Sequence, residues 1–330
     1  MKFKKHIHTC ILSSAAAFIL AACAGGSVSE PKVPVAIPTA QPIAAPKFTD
    51  ESANVDTINT NAAKSGKLHE HELEKTGSFG FKFTEKEFVY QTPSGKFYAI
   101  GSYTDPIVPD YSSPSYTLKT KHEGQPLSEG GKLFVCCSDS AEFTYAPATK
   151  QDYLKFGAWI GANGETDLFV GGKPVGTVKE LFPNPDNLKG KGKTTYEVWA
   201  VRVRNGQFVT SSYTPKNGEK PTTYSLITAN FNTNKLGGTI IGNQDYGADV
   251  VMKDVDINGI DFAGTAESDG KAGKVAGKFF GKFDSYYTQD ISIGGKVTFE
   301  GDKSLDTVFG GVSHNKDRNS TSTDLTPLDK

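Results

Sequence analysis

Apolar and polar residues alternate with a period of two along the C-terminal part of the chain. Gly273, Val275, Gly277, Phe279, Gly281 and Phe283 fall on one side, with Lys274, Ala276, Lys278, Phe280 and Lys282 between them. Successive side chains of a strand point to opposite faces, so this spacing predicts a half-buried strand. Ile291, Ile293, Gly295, Val297 and Phe299 repeat the scheme against Ser292, Gly294, Lys296, Thr298 and Glu300, and Leu305 to Val312 supplies a last strand. Short loops between the three predict an antiparallel meander. Glycine on the buried face costs packing in an ordinary strand, but inside a tightly curved barrel it relieves crowding.

Upstream, strands are expected at Thr194 to Val203, Gln207 to Ser211, Tyr224 to Phe231, Leu236 to Ile241, Asp249 to Ile257 and Ile260 to Ala266. With the final three this makes eight or nine, and eight would close around an interior filled by side chains. Before them, Phe79 to Phe83, Phe88 to Gln91, Lys96 to Tyr103, Ser115 to Thr120, Lys132 to Ser138, Ala141 to Tyr145, Tyr153 to Ile160 and Thr166 to Val170 are short and aromatic or β-branched. No window carries a sustained helical stripe. The expected fold is therefore all-β: a β-rich handle domain over residues 67–188, with folded structure beginning near Phe79, then an eight-stranded antiparallel β-barrel over 189–313 and a polar tail over 314–330. Pro183-Asn184-Pro185-Asp186-Asn187 marks the break between the two.

The first 22 residues have a basic start (Lys2, Lys4, Lys5) and an apolar middle too short to span a membrane, as a secretory signal does. Leu20-Ala21-Ala22-Cys23 resembles the lipobox of bacterial lipoproteins, which implies cleavage before Cys23 and its acylation; a plain signal with an incidental cysteine is the alternative. Three acyl chains would anchor the chain essentially permanently. Ala24 resembles outer-membrane sorting. Over residues 23–66 a tether is expected, because Pro31, Pro34, Pro38, Pro42 and Pro46 recur every three or four residues. At about 3.1 Å per residue, the proline-rich part alone would reach about 50 Å from the lipid.

Removal of residues 1–22 takes the formal charge from −1 to −4, a mixed and weakly acidic balance that gives no argument for nucleic acid.

Ala229-Asn230-Phe231 with Leu236-Gly237-Gly238, then Gly277-Lys278-Phe279-Phe280-Gly281, Ile293-Gly294-Gly295 and Val308-Phe309-Gly310-Gly311, resemble the barrel of transferrin-binding-protein-B-like surface lipoproteins. Phe156-Gly157-Ala158-Trp159 is similar to the junction before that barrel. The resemblance implies a handle and barrel exported by a translocator to face the cell exterior from the outer membrane. It also implies capture of a host serum or haem-carrier protein, such as haemoglobin or transferrin, for iron acquisition and virulence. There is room for one lobe, which moves weight from transferrin toward single-lobe accessory lipoproteins of haemoglobin receptors, with a TonB-dependent transporter as a further partner. A binder of a complement regulator such as factor H is the alternative on the same scaffold.

No catalytic constellation competes with that reading. After the leader the histidines are His69, His71, His122 and His314, none of them in the expected barrel. His69-Glu70-His71 would place two rings on one strand face, as a metal or haem site needs, but in so polar a segment a solvated stretch is expected instead. Gly190-Lys191-Gly192-Lys193-Thr194-Thr195 ends like a phosphate loop, yet Asn187 stands where the motif needs glycine and a strand follows where it needs a helix. There is no Gly-x-Ser-x-Gly elbow. No enzyme, cofactor or metal is therefore expected. Adjacent Cys136 and Cys137 could form a structural vicinal disulfide or remain thiols on opposite strand faces. For partner contact, Tyr103, Ile107, Val108 and Tyr111 lie among prolines with no periodic face to hide on, unless they cap the handle core. Tyr286 and Tyr287 are the second choice, unless they plug the barrel.

Overall fold

The computed structural model describes residues 39–45, 48–49, 53–54, 65–100, 120–136, 153–175, 192–211, 225–281 and 291–328, all within one compact unit, Ile37–Lys330. Nineteen strands and no α-helix are found among them. The first half of the chain holds β1 (Phe48–Thr49), β2 (Ala53–Asn54), β3 (Lys67–Thr76), β4 (Lys82–Gln91), β5 (Phe97–Ala99), β6 (Lys121–His122), β7 (Gln125–Pro126), β8 (Lys132–Cys136), β9 (Leu154–Ile160) and β10 (Thr166–Gly172). The second half holds β11 (Lys193–Arg204), β12 (Gln207–Thr210), β13 (Leu226–Asn230), β14 (Lys235–Ile240), β15 (Val250–Asn258), β16 (Asp261–Ser268), β17 (Lys271–Gly281), β18 (Ile291–Phe299) and β19 (Thr307–Asp317).

β11 and β13 to β19 close into an eight-stranded antiparallel barrel, as expected. Closure runs through β11, whose Lys193–Glu197 half pairs with Asn230–Leu226 of β13 while its other edge follows β19 from Lys193↔Asp317 to Val201↔Val308. Past that point β11 exchanges β13 for β12, with Val201↔Thr210 to Arg204↔Gln207 in register, so the ninth candidate strand is a flap that carries β6 on its far edge.

The barrel interior is filled by an apolar cluster that includes Tyr196, Phe231, Phe262, Phe279 and Phe309. Glycine plays the expected part: a Cβ on Gly277 would lie 2.1 Å from the Phe262 ring, and one on Gly295 2.5 Å from the Phe309 ring. Arg202 is fully buried within the barrel. Its guanidinium donates to the Leu305, Tyr246 and Ala248 carbonyls and to Thr307 Oγ1 and Ser268 Oγ, and stacks 4.1 Å from the Tyr246 ring centroid. Burial lowers its pKa, and these five acceptors keep the buried cation solvated by protein.

The handle is two sheets, β1-β3-β4-β5 and β2-β10-β9-β8-β7. Leu68, Tyr90, Tyr98 and Ile100 of the first meet Leu133, Val135, Trp159 and Phe169 of the second. The opposite face of the second sheet, Phe134, Leu154, Phe156, Ala158, Leu168 and Val170, packs on Trp199, Val201, Phe280 and Val308 of the barrel wall. It is thus a middle layer covered on both sides, which explains why all seven residues of β9 are buried. Ser292, Gly294 and Lys296, expected on a solvated face, are covered by this layer, and Lys296 Nζ donates to the Leu168 carbonyl at 2.9 Å.

Pairing starts earlier and ends later than the sequence suggests. Within the expected tether, Ala40 is buried and bridges Leu127, Ile43 N donates to Phe97 O, and β1 pairs with β3. His69-Glu70-His71 lies inside β3, with Glu70 and His71 buried, and is not a solvated stretch. β19 continues to Asp317, so His314 belongs to a barrel strand, contrary to expectation, because its pairing with β11 outlasts the apolar pattern.

Candidate functional site

The described residues contain three large hydrophobic side chains that are exposed, and all lie at one hairpin tip: Phe79 is 96% exposed, Phe81 74% and Phe83 49%. β3 and β4 pair along their whole length, from Lys67↔Gln91 to Thr76↔Lys82. β1 reaches only Glu70 and His71, and β5 only Val89 to Gln91. Among the described residues no third strand accompanies the hairpin from Glu72 to Lys86, which therefore projects as a two-stranded finger. A free-standing ribbon of this kind is only marginally stable by itself.

Its root is fixed by polar groups buried in the handle. Glu70 forms a salt bridge to Lys173 at the end of β10. Tyr90 Oη donates to Asp167 Oδ2 at 2.8 Å, Gly66 N donates to the same oxygen at 3.0 Å, and the Tyr90 and Phe169 rings stack at 4.2 Å. Burial, then the neighbouring Asp167 carboxylate, raises the Tyr90 pKa far above the ordinary phenol value, so its proton stays in place. His69, hydrogen-bonded to Gln91 Oε1 at 3.0 Å, has its pKa lowered chiefly by burial.

The tip is a tight turn. Gly77 N donates to Phe81 O at 2.8 Å and Gly80 N to Gly77 O at 3.1 Å. Phe79 (φ 75°, ψ 14°) and Gly80 (φ 78°) both take left-handed backbone conformations. Glycine does so freely, whereas an aromatic residue held there costs about 1–3 kcal/mol. Phe83 leans over the turn, since a Cβ on Gly77 would sit 3.3 Å from its ring. Exposed aromatic side chains raised on a fixed root are the form of a docking element, with each ring contributing about 1.5–3 kcal/mol when buried.

Phe79 to Phe83 reads in sequence as a first short strand of the handle. Gly77 and Gly80, bracketing the first ring, and the charged flanks Glu72, Glu74, Lys82 and Glu85 are the signals that instead mark a tip. The sequence-derived contact residues Tyr103, Ile107, Val108, Tyr111, Tyr286 and Tyr287 lie outside the described residues, as do Cys23 and Cys137. Cys136 is buried at the end of β8, opposite Phe156, and is disulfide-bonded. Among the described residues no cluster of three or more His, Cys, Asp or Glu could hold a metal, and His69 and His71 gain no third ligand.

Residues 86–328 match the family model of HpuA, described as "haemoglobin-haptoglobin utilisation, porphyrin transporter". The apo crystal structure of the haemoglobin receptor HpuA from Kingella denitrificans is 33% identical, with a TM-score of 0.74 over 89% of this chain and 100% of that one. The same receptor in complex with human haemoglobin is 34% identical, with a TM-score of 0.72 and the same coverage. Transferrin-binding protein B from Haemophilus parasuis is more distant, at 16% identity and a TM-score of 0.41 over 79% of this chain and 47% of that one. Among curated proteins none matches. With most of its length matched by the family model and a solved receptor 33% identical over 89% of this chain, the chain belongs to the HpuA family.

Proposed function

We propose that this protein is a non-enzymatic capture lipoprotein that takes haemoglobin from the host, docking it on the phenylalanine finger at the β3–β4 tip. The observation that carries the reading is the exposure of Phe79, Phe81 and Phe83 on a ribbon whose root is locked into the handle. The solved relative complexed with human haemoglobin supports the choice of partner. The lipobox-like Leu20-Ala21-Ala22-Cys23 supports anchoring through acylated Cys23 in the outer membrane, with the body facing outward. The family description as a porphyrin transporter supports a membrane transporter, of the TonB-dependent class, as the next recipient of the haem.

The test uses cells carrying the intact chain, the Cys23→Ser chain, or the triple variant Phe79→Ser, Phe81→Ser and Phe83→Ser, each offered human haemoglobin. The parent should hold haemoglobin at the surface. The triple variant should lose at least about 100-fold in affinity without a fall in melting temperature, because the rings support no core. Cys23→Ser should release the protein from the cell with its affinity intact. A triple variant that binds as the parent does would remove the finger from the reading, and a parent that ignores haemoglobin but takes transferrin or a complement regulator from serum would replace the partner.

A further inference from the structure

We infer that Phe79 is the anchor of the docking contact, and that the turn holds its backbone in an unfavourable conformation so that this one ring enters an apolar pocket on the partner. The inference rests on the reading of the finger as the docking element.

The three rings are not equivalent. Phe83 is half covered, lying across Gly77, and Phe81 belongs to the hydrogen-bonded pair that closes the loop. Phe79 stands at the apex, 96% exposed, so its ring gains almost nothing from the rest of the fold. Its backbone lies at φ 75°, where glycine or asparagine is the usual choice and a bulky aromatic is an outlier. The next residue, Gly80, meets the same demand without a side chain. A residue that strains the backbone and receives no packing in return is explained by a contact made outside the molecule. Central, fully desolvated aromatic side chains dominate protein interfaces, and a single ring on a stiff turn loses little conformational freedom on entering a pocket.

Stability and affinity should therefore move in opposite directions at this position, which a core or linker residue would not do. In the full chain, Phe79→Asn should raise the melting temperature by about 2–4 °C and weaken human haemoglobin binding at least about 30-fold. Phe79→Ala, which loses the ring but keeps a Cβ in the left-handed region, should lose binding equally while gaining less stability than the asparagine variant. Phe81→Ala and Phe83→Ala should each weaken binding by less than Phe79→Ala.

If Phe79→Asn lowers the melting temperature, the strain is not there and the inference fails. If it binds within about threefold of the parent, less than ordinary interface truncations cost, while the triple serine variant loses binding, the finger stands and another ring is the anchor. If the triple variant also binds normally, both the anchor and the finger reading fall.

Discussion

Gly294 and Gly310 illustrate how one residue type serves two faces of the same wall. They point outward from β18 and β19, where a Cβ on Gly310 would lie 2.4 Å from Phe156 Cε1 and one on Gly294 2.7 Å from Leu154 Cδ1. The handle can therefore press its side chains almost onto the barrel backbone. Sequence parity distinguishes the inward Gly295 from the outward Gly294, but it cannot show that residues 154 to 156, far away in the chain, will come to fill the outer position. The interior role of glycine was thus legible and the exterior one was not. Gly310→Ala should destabilise the protein by about 1–3 kcal/mol in urea titration, as overpacking generally does. Adding Phe156→Ala should make the second change cost less than it does alone, because the two sites are in contact. Additive effects would show that the glycine does not admit the ring.

At the scale of elements, the barrel seam depends on what crosses it. β11 and β13 share only five register pairs, Lys193↔Asn230 to Glu197↔Leu226. The segment after β19, expected to be a polar tail, runs over the outside of that seam. Lys193 Nζ donates to Asp324 Oδ1 at 2.6 Å, Asn230 Nδ2 to the Ser322 and Asp324 carbonyls, Asn232 Nδ2 to the Ser320 carbonyl at 2.7 Å, and Leu328 N to Thr195 Oγ1 at 2.9 Å. Leu325 rests against Gly237 of β14. Polar composition concealed this strap, because its hold comes from hydrogen bonds to a wall that composition does not reveal. Truncation after Arg318, or Asp324→Asn, should lower the melting temperature at neutral pH. The hydrogen bond from Lys193 is the largest cause that holds the Asp324 carboxyl at about 2, below its ordinary 3.8. A lowered pKa adds stability above the unfolded value, and that stability is lost as the pH falls through the folded one. The gap between parent and Asp324→Asn should accordingly close between about pH 4 and pH 2. A gap that persisted there would mean the ion pair does not hold the strap.

The molecule as a whole is three layers sharing one middle sheet, and this joins the finger to the barrel. Barrel closure and all-β character were readable from alternation, since each strand carries its own period. The sandwich was not, because β9 and β10 are buried on both faces and have no period to read. A chain of this size often unfolds through intermediates. Here the middle sheet contributes Trp159 to the handle core, while its other face packs on Trp199 of the barrel, so neither half can keep its core once the other opens. The chain has only these two tryptophans, one reporting each boundary. In Trp199→Phe, fluorescence of Trp159 should follow the same urea transition as far-UV circular dichroism, to which the long barrel strands contribute most. In Trp159→Phe, Trp199 should do likewise. Two separated midpoints in either variant would mean that handle and barrel melt independently. The Glu70–Lys173 and Tyr90–Asp167 contacts would then root the finger in the handle alone, and load on its tip would not be carried into the barrel.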